Sequence, residues 1–262
     1  MGDLKAQVDI SRVETVETLK QYYILVPSHV RESYLYHLLC NPPKLIIHLR
    51  RSTPDPAKRS RKTTRKKGSP KIVGSDEEFL QPPPTIIFCA KARTAAYLTA
   101  LLQTLTIRST ALHSRLTQRE RLTSLSLFRS SVIPVLVSTD VGARGLDIAD
   151  VAMVVNWDLP NEPEEYTHRV GRTARAGRAG MAVSFVSEND ESRVLKIEER
   201  IGKCCDRCPN LCVPLLISVA TRLVEMELPE EKVLEGLNKV STAKRQAYMV
   251  SEQGFTTRTD LT

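Results

Sequence analysis

Nowhere in its 262 residues does the chain hold an apolar run of roughly eighteen residues, so no segment reads as a membrane-crossing helix. No charged-then-apolar leader of the signal-peptide kind opens it. Met1-Gly2 begins like a myristoylation signal, but Ala6 stands where Ser or Thr is needed. No membrane partner is expected. The phosphate-cradling pattern G-x-x-x-x-G-K-[ST] is also missing: the single Gly-Lys, Gly202-Lys203, is followed by Cys. There is no internal repeat. Metal-ligand spacing is incomplete. Of six cysteines, Cys40 and Cys89 stand alone in apolar surroundings and read as small buried hydrophobes. The other four, Cys204, Cys205, Cys208 and Cys212, crowd into "KCCDRCPNLC" without a second pair or a histidine pair, so reduced thiols are expected and no metal. Nothing calls for an oxidising compartment.

Hydrophobic content of 41% and charged content of 26% are those of an ordinary globular protein. The net charge of +8 is not spread over the chain. Ten Lys/Arg and one Asp lie between Arg50 and Lys71, and the remainder is near −1. This segment, Ser/Thr-rich and closing on "QPPP", has almost nothing large and apolar to bury, so residues 50–84 are expected to form a disordered basic insert. Its "RKTTRKK" fits a nuclear localisation signal, a nonspecific nucleic-acid contact or a solvated loop.

Outside the insert, short apolar runs alternate with amphipathic stretches. Strands are expected at Tyr22–Val26, Thr85–Ala90, Ser109–His113, Val135–Thr139, Val151–Asn156 and Met181–Ser187. Helices are expected over Val30–Leu39, Thr94–Thr104, Gln118–Phe128 and Asp190–Ile201, with one carrying arginines after the fifth strand. A further helix is expected from Glu230 to about Met249, ahead of a fraying polar tail. Such alternation predicts an α/β fold with a parallel sheet covered by helices on both faces.

Ligands of open parallel sheets bind at the carboxyl ends of the strands. Unusual residues follow four of these strands: Lys91 and Arg93; Ser114, Arg115 and "TQRER"; "DVGARGLD"; and the arginine-bearing segment. In "YTHRVGRTARAGRAG", Arg169, Arg172, Arg175 and Arg178 recur every third residue, which on a helix places them on one surface. Arginines so placed repel one another unless an anion lies between them, and the guanidinium fork suits phosphate. Packing explains such a collection poorly; one phosphate-binding edge explains it.

"STDVGARGLD", "VVNWDLP" and "YTHRVGRTARAGR", in this order, resemble motifs V and VI of the DEAD-box RNA helicases. "IIFCAKAR" is similar to their motif IV, and "LHSRLTQRER" to the motif after it. The likeness runs from about Gln21 to Ile201, the insert aside. The resemblance implies a second, C-terminal RecA-like domain over residues 21–203, a lead-in over 1–20, and a partly helical C-terminal extension over 204–262. It implies ATP with Mg2+ in a cleft against a first RecA-like domain, supplied in cis or in trans, with Mg2+ held by that first domain. It implies that Arg172 and Arg175 meet the γ-phosphate, Arg175 as arginine finger, that Asp147 accepts from the ribose, and that Gly145 lets backbone approach the nucleotide. Arg93, Gln118, Arg121 and Thr139 would contact RNA phosphate and sugar without reading sequence. His168 and Arg169 would couple cleft to RNA.

Each role has a plainer alternative. Asp147 can pair with Arg144, Gln118 and Arg121 can be helix surface, His168 can be structural, and Arg178 has no role. "YYILVPSHVRESYLYHLL" most resembles nucleolar members that act in small-ribosomal-subunit assembly, implying pre-rRNA as target, a protein activator and a nuclear, nucleolar location. Neither Asp-Glu-Ala-Asp nor Ser-Ala-Thr occurs. The chain is therefore expected to be half of an RNA-dependent ATPase and inactive alone. The alternative is a stand-alone RNA-binding or partner-docking module.

Overall fold

Runs of four to seven residues that are apolar on both sides become strands, because only a sheet sandwiched between helix layers buries both faces at once. A computed structural model describes residues 19–49, 81–143, 148, 151–175, 178–206 and 223–259. Its strands are β1 (Leu19–Leu25), β2 (Thr85–Phe88), β3 (Ser109–Leu112), β4 (Val135–Ser138), β5 (Met153–Asn156), β6 (Gly180–Val186) and the two-residue β7 (Val224–Glu225). They form one sheet in the order β3-β4-β2-β5-β6-β1-β7, and every pairing is parallel. The helices are α1 (Arg31–Cys40), α2 (Lys44–Ile47), α3 (Ala92–Thr104), α4 (Gln118–Arg129), α5 (Asp140–Ala143), α6 (Pro163–Val170), α7 (Glu191–Asp206), α8 (Glu230–Glu235) and α9 (Leu237–Thr259).

The register divides the strand residues by parity. Ile87, Cys89, Val135, Val137, Met153, Val155, Met181, Val183 and Phe185 face α1, α2, α3, α8 and α9. Ile86, Phe88, Leu136, Val154, Ala182 and Val186 face α4, α5, α6 and α7. These two apolar layers, one on each side of the sheet, are the expected α/β architecture with helices on both faces.

Several boundaries depart from expectation. The helix after β5 stops at Val170 instead of running on through the arginines. Pro163 occupies its first turn with Glu164 and Glu165, and His168 and Arg169 occupy its last, so charge complements the dipole at both ends. Gly171 follows, and only Arg169 of the four arginines is helical. The expected helix Glu230–Met249 is broken at Gly236 and continues to Thr259. Packing persists beyond Met249, where Ser251 is buried and its hydroxyl donates to the Tyr248 carbonyl. Val240, Ala243 and Ala247 of α9 belong to the core shared with α3.

Of the expected insert 50–84, residues 50–80 lie outside the described residues. Gln81–Pro84 are in place. The Gln81 amide donates to the Thr106 carbonyl at 3.1 Å and accepts from the Arg108 N–H at 3.0 Å, and Pro82 and Pro83 are buried. Residues 1–18, Cys208 and Cys212, and the side chains of Cys204 and Cys205, are likewise outside the description. Cys89 is fully buried, as expected of a small hydrophobe. No described helix is long and apolar enough to cross a membrane.

Candidate functional site

At the carboxyl edge, α4 begins with a reciprocal cap. The Thr117 hydroxyl accepts from the Glu120 N–H at 3.3 Å, and the Glu120 carboxylate accepts from the Thr117 N–H at 2.8 Å. This fixes Gln118 and Arg121 in the first turn. Arg121 donates to the Gln118 amide oxygen at 3.3 Å and to the Gly142 carbonyl at 3.2 Å, so the ends of β3 and β4 are tied together. Thr139, first after β4, is buried, and its hydroxyl accepts from the Gly142 N–H at 3.2 Å. A side chain on Gly142 would place its Cβ 2.2 Å from the Leu112 carbonyl oxygen, so only glycine lets α5 lie this close to β3. Arg93 lies in the first turn of α3 and is exposed. Gln118, Arg121 and Thr139 are thus linked, and Arg93 shares their edge across β4.

Arg169 is 2% exposed and has its partners at this same edge. It makes a bidentate pair with Asp140, Nε to Oδ1 and Nη2 to Oδ2, both 2.6 Å. It donates further to the Asn156 amide oxygen at 3.2 Å and the Asp158 carbonyl at 2.6 Å, and lies over the Phe88 ring at 5.2 Å. Asn156 is held in turn by Ser184 at 3.1 Å. Burial foremost, then the Asp158 charge, pushes the nearby Cys89 thiol up to about 12, so it stays protonated. His168, one residue earlier, is exposed.

The remaining arginines are elsewhere, which corrects the expectation of a single edge. The eight residues of α6 rise about 12 Å, about the length of a four-residue strand, so the chain returns to the amino edge of the sheet. There the Thr173 hydroxyl donates to the carbonyls of Val151 and Ala152, and Thr173 pairs with Val151 in a one-residue parallel bridge. Ala174 follows with φ 56°, a left-handed conformation. Arg175 is exposed and donates from Nε to the Gly171 carbonyl at 2.7 Å; Arg172 is half-buried. Arg175 and Arg178 line a shallow hollow with Leu49, Pro84, Val151, Ala152, Ala174 and Ala179. Two guanidiniums against short apolar walls, with no carboxylate among the described lining residues, suit a polyanion. Gly145 and Asp147 lie outside the described residues. No group of three or more potential metal ligands occurs among the described residues.

Sequence reasoning assigned no role to Asp140, Asn156, Asp158 or Arg31. The first three stand inside the quoted motifs, and the need of a buried arginine for carboxylate and carbonyl partners could have singled them out. Arg31 carried no comparable signal.

The profile of the helicase conserved C-terminal domain matches residues 72–177. An ATP-dependent RNA helicase DBP8 of Mycosarcoma maydis is 42% identical over 252 residues, covering 90% of this chain and 44% of the relative. That of Schizosaccharomyces pombe is 38% identical over 251 residues, covering 95% and 44%. The chain thus spans less than half the length of these relatives. Among solved structures, the C-terminal domain of the DEAD-box protein Dbp5 is 30% identical with a TM-score of 0.51, covering 72% of this chain and 88% of that one. The E. coli DEAD-box protein SrmB, bound to regulator of ribonuclease activity A, is 25% identical with a TM-score of 0.55, covering 81% and 92%. With its parallel sheet, its motif order and these relatives, the chain belongs to the DEAD-box helicase family as a C-terminal RecA-like domain.

Proposed function

We propose that the chain is the second half of an ATP-dependent RNA helicase, an RNA-dependent ATPase that remodels RNA. One observation carries this reading: α6 holds Arg169 among carboxylates and carbonyls at one edge and delivers Arg172 and Arg175 to the other. Arg172 and Arg175 would hold the γ-phosphate of ATP, with Arg175 as arginine finger. Bound ATP with Mg2+ supplies a phosphoryl group whose transfer builds charge on the γ-oxygens, and a fixed guanidinium stabilises that charge. Asp147 would meet the ribose and Gly145 would admit the nucleotide. Mg2+ would be held by the first RecA-like domain. Arg93 in α3, Gln118 and Arg121 in α4, and Thr139 just before α5 would hold RNA phosphate and sugar. Arg169, and His168 beside it, would couple the two surfaces, because Asp140 follows Thr139 directly and a short helix transmits displacement. A role in ribosome biogenesis, with pre-rRNA as the RNA, a nucleolar location and a protein activator, completes this proposal; the likeness to ATP-dependent RNA helicases named DBP8 supports its helicase part.

The test is RNA-stimulated ATPase activity of this chain supplied with a first RecA-like domain of the family. Turnover is expected with both halves and not with this chain alone, and Arg175→Ala is expected to lower it by about 10³-fold. RNA binding without turnover in the presence of the first domain would overturn the helicase reading and leave an RNA-binding module.

A further inference from the structure

Arg31 opens α1, outside the helicase motifs IV, V and VI and within the stretch "YYILVPSHVRESYLYHLL". Its guanidinium stacks 4.5 Å from the centre of the Trp157 ring, donates to the Trp157 carbonyl and faces Asp158 Oδ1 at 3.7 Å. Both charged side chains of this pair are mostly covered, at 18% and 28% exposure. Asp158 is a junction of three elements. Its second carboxylate oxygen accepts from the Ala90 N–H at 2.9 Å, in the turn between β2 and α3. Its carbonyl accepts from Arg169 of α6 at 2.6 Å. Through Arg31 it also reaches α1.

We propose that Arg31 is a positioning residue that acts through Asp158 to fix the Ala90–Arg93 turn, and so to set how Arg93 meets RNA. The inference rests on the helicase reading. Sheet pairing already fixes Trp157, whose N–H donates to the Phe88 carbonyl at 2.8 Å, and its ring is packed on Phe185 with centroids 5.7 Å apart. The turn after β2 lies beyond that pairing. Its Ala90 N–H is held by a carboxylate, and a carboxylate swings about its own bonds unless its other oxygen is held too. Arg31 holds it. Arginine suits this task better than lysine, because a planar fork can face a carboxylate and a carbonyl while stacking on an indole. Since Asp158 also receives Arg169, the turn bearing Arg93 is placed relative to the helix that leads to Arg172 and Arg175.

The test compares Arg31→Ala, Arg31→Lys and Asp158→Asn in the full chain by two readouts. In amide spectra, the resonances of Ala90, Lys91 and Arg93 should move in Arg31→Ala and Asp158→Asn while those of Thr123–Arg129 stay. Arg31→Lys should restore part of the shift. With a first domain supplied, the RNA concentration giving half-maximal ATPase should rise about tenfold, as a displaced contact predicts, while kcat stays within about twofold. A purely structural role would lower thermal stability in all three variants without this split. Unmoved Ala90 resonances, or a loss of kcat at unchanged RNA dependence, would overturn the proposal. If wild-type protein shows no RNA-stimulated turnover, the helicase reading fails, and the amide spectra alone decide whether Arg31 positions the turn.

Discussion

Arg169 and Arg175 come from one stretch of thirteen letters, yet they live in opposite surroundings. Arg169 is 2% exposed with every direction of its fork answered, by Asp140, Asn156 and the Asp158 carbonyl. Arg175 is exposed beside a hollow without carboxylates among the described lining residues. The difference is made by chain geometry, since α6 ends between them. The carboxyl edge is built from charges that satisfy each other, and the amino edge presents charge outward. The first arrangement contributes stability, and the second places Arg175 at the surface beside the hollow.

The largest expected effect is at the satisfied edge. Asp140→Ala leaves a buried guanidinium without its carboxylate and should cost about 3 kcal/mol, read as a lower urea midpoint at unchanged slope. A cost near zero would mean that the two edges are not built differently. Acid should act on the same edge. Burial alone would raise the Asp190 carboxyl, but hydrogen bonds from the Ser187 hydroxyl and N–H and from Arg193 outweigh it and hold it below its ordinary 3.8. Because its folded pKa is depressed, its contribution is full above the unfolded value and is lost as pH falls through the folded one. Stability measured between pH 5 and 2 should therefore fall less in Asp190→Asn than in wild type. At the amino edge, Ala174→Gly removes left-handed strain and should stabilise by about 0.5 kcal/mol after the entropy of glycine is set against it. Smallest of all, Arg175→Ala should leave the free energy of urea unfolding within about 0.5 kcal/mol of wild type, despite its predicted effect on turnover. A large loss of stability there would assign Arg175 to the scaffold.

Much of this was legible in the sequence. The six longer strands declare themselves by apolar β-branched runs such as "TIIF" and "VLVS", and α4 by the Thr117–Glu120 cap. β7 escaped notice because two residues carry no period, and its pairing with Tyr22 and Tyr23 is decided by tertiary proximity. α2 is a single four-residue turn. The arginine repeat misled for a physical reason. Spacing of three is shared by a helix surface and by a turn that follows one, and Gly171 with Thr173, whose hydroxyl bonds back to Val151 and Ala152, ends the helix. The partners of Arg169 come from the ends of β4 and β5, with the Phe88 ring of β2 between them, and could be matched to it only once the sheet order was known.

The long helix α9 packs along α3, with five of the seven strands lying between them in sequence. During synthesis, α3 emerges many residues before the helix that completes its layer, and the apolar side of the sheet waits with it. Such late, distant closure slows folding and prolongs the exposure of sticky surface. A ribosome that stops before Val240 releases a chain whose first layer cannot close, so premature termination yields a substrate for chaperones and proteases instead of a shortened but folded domain.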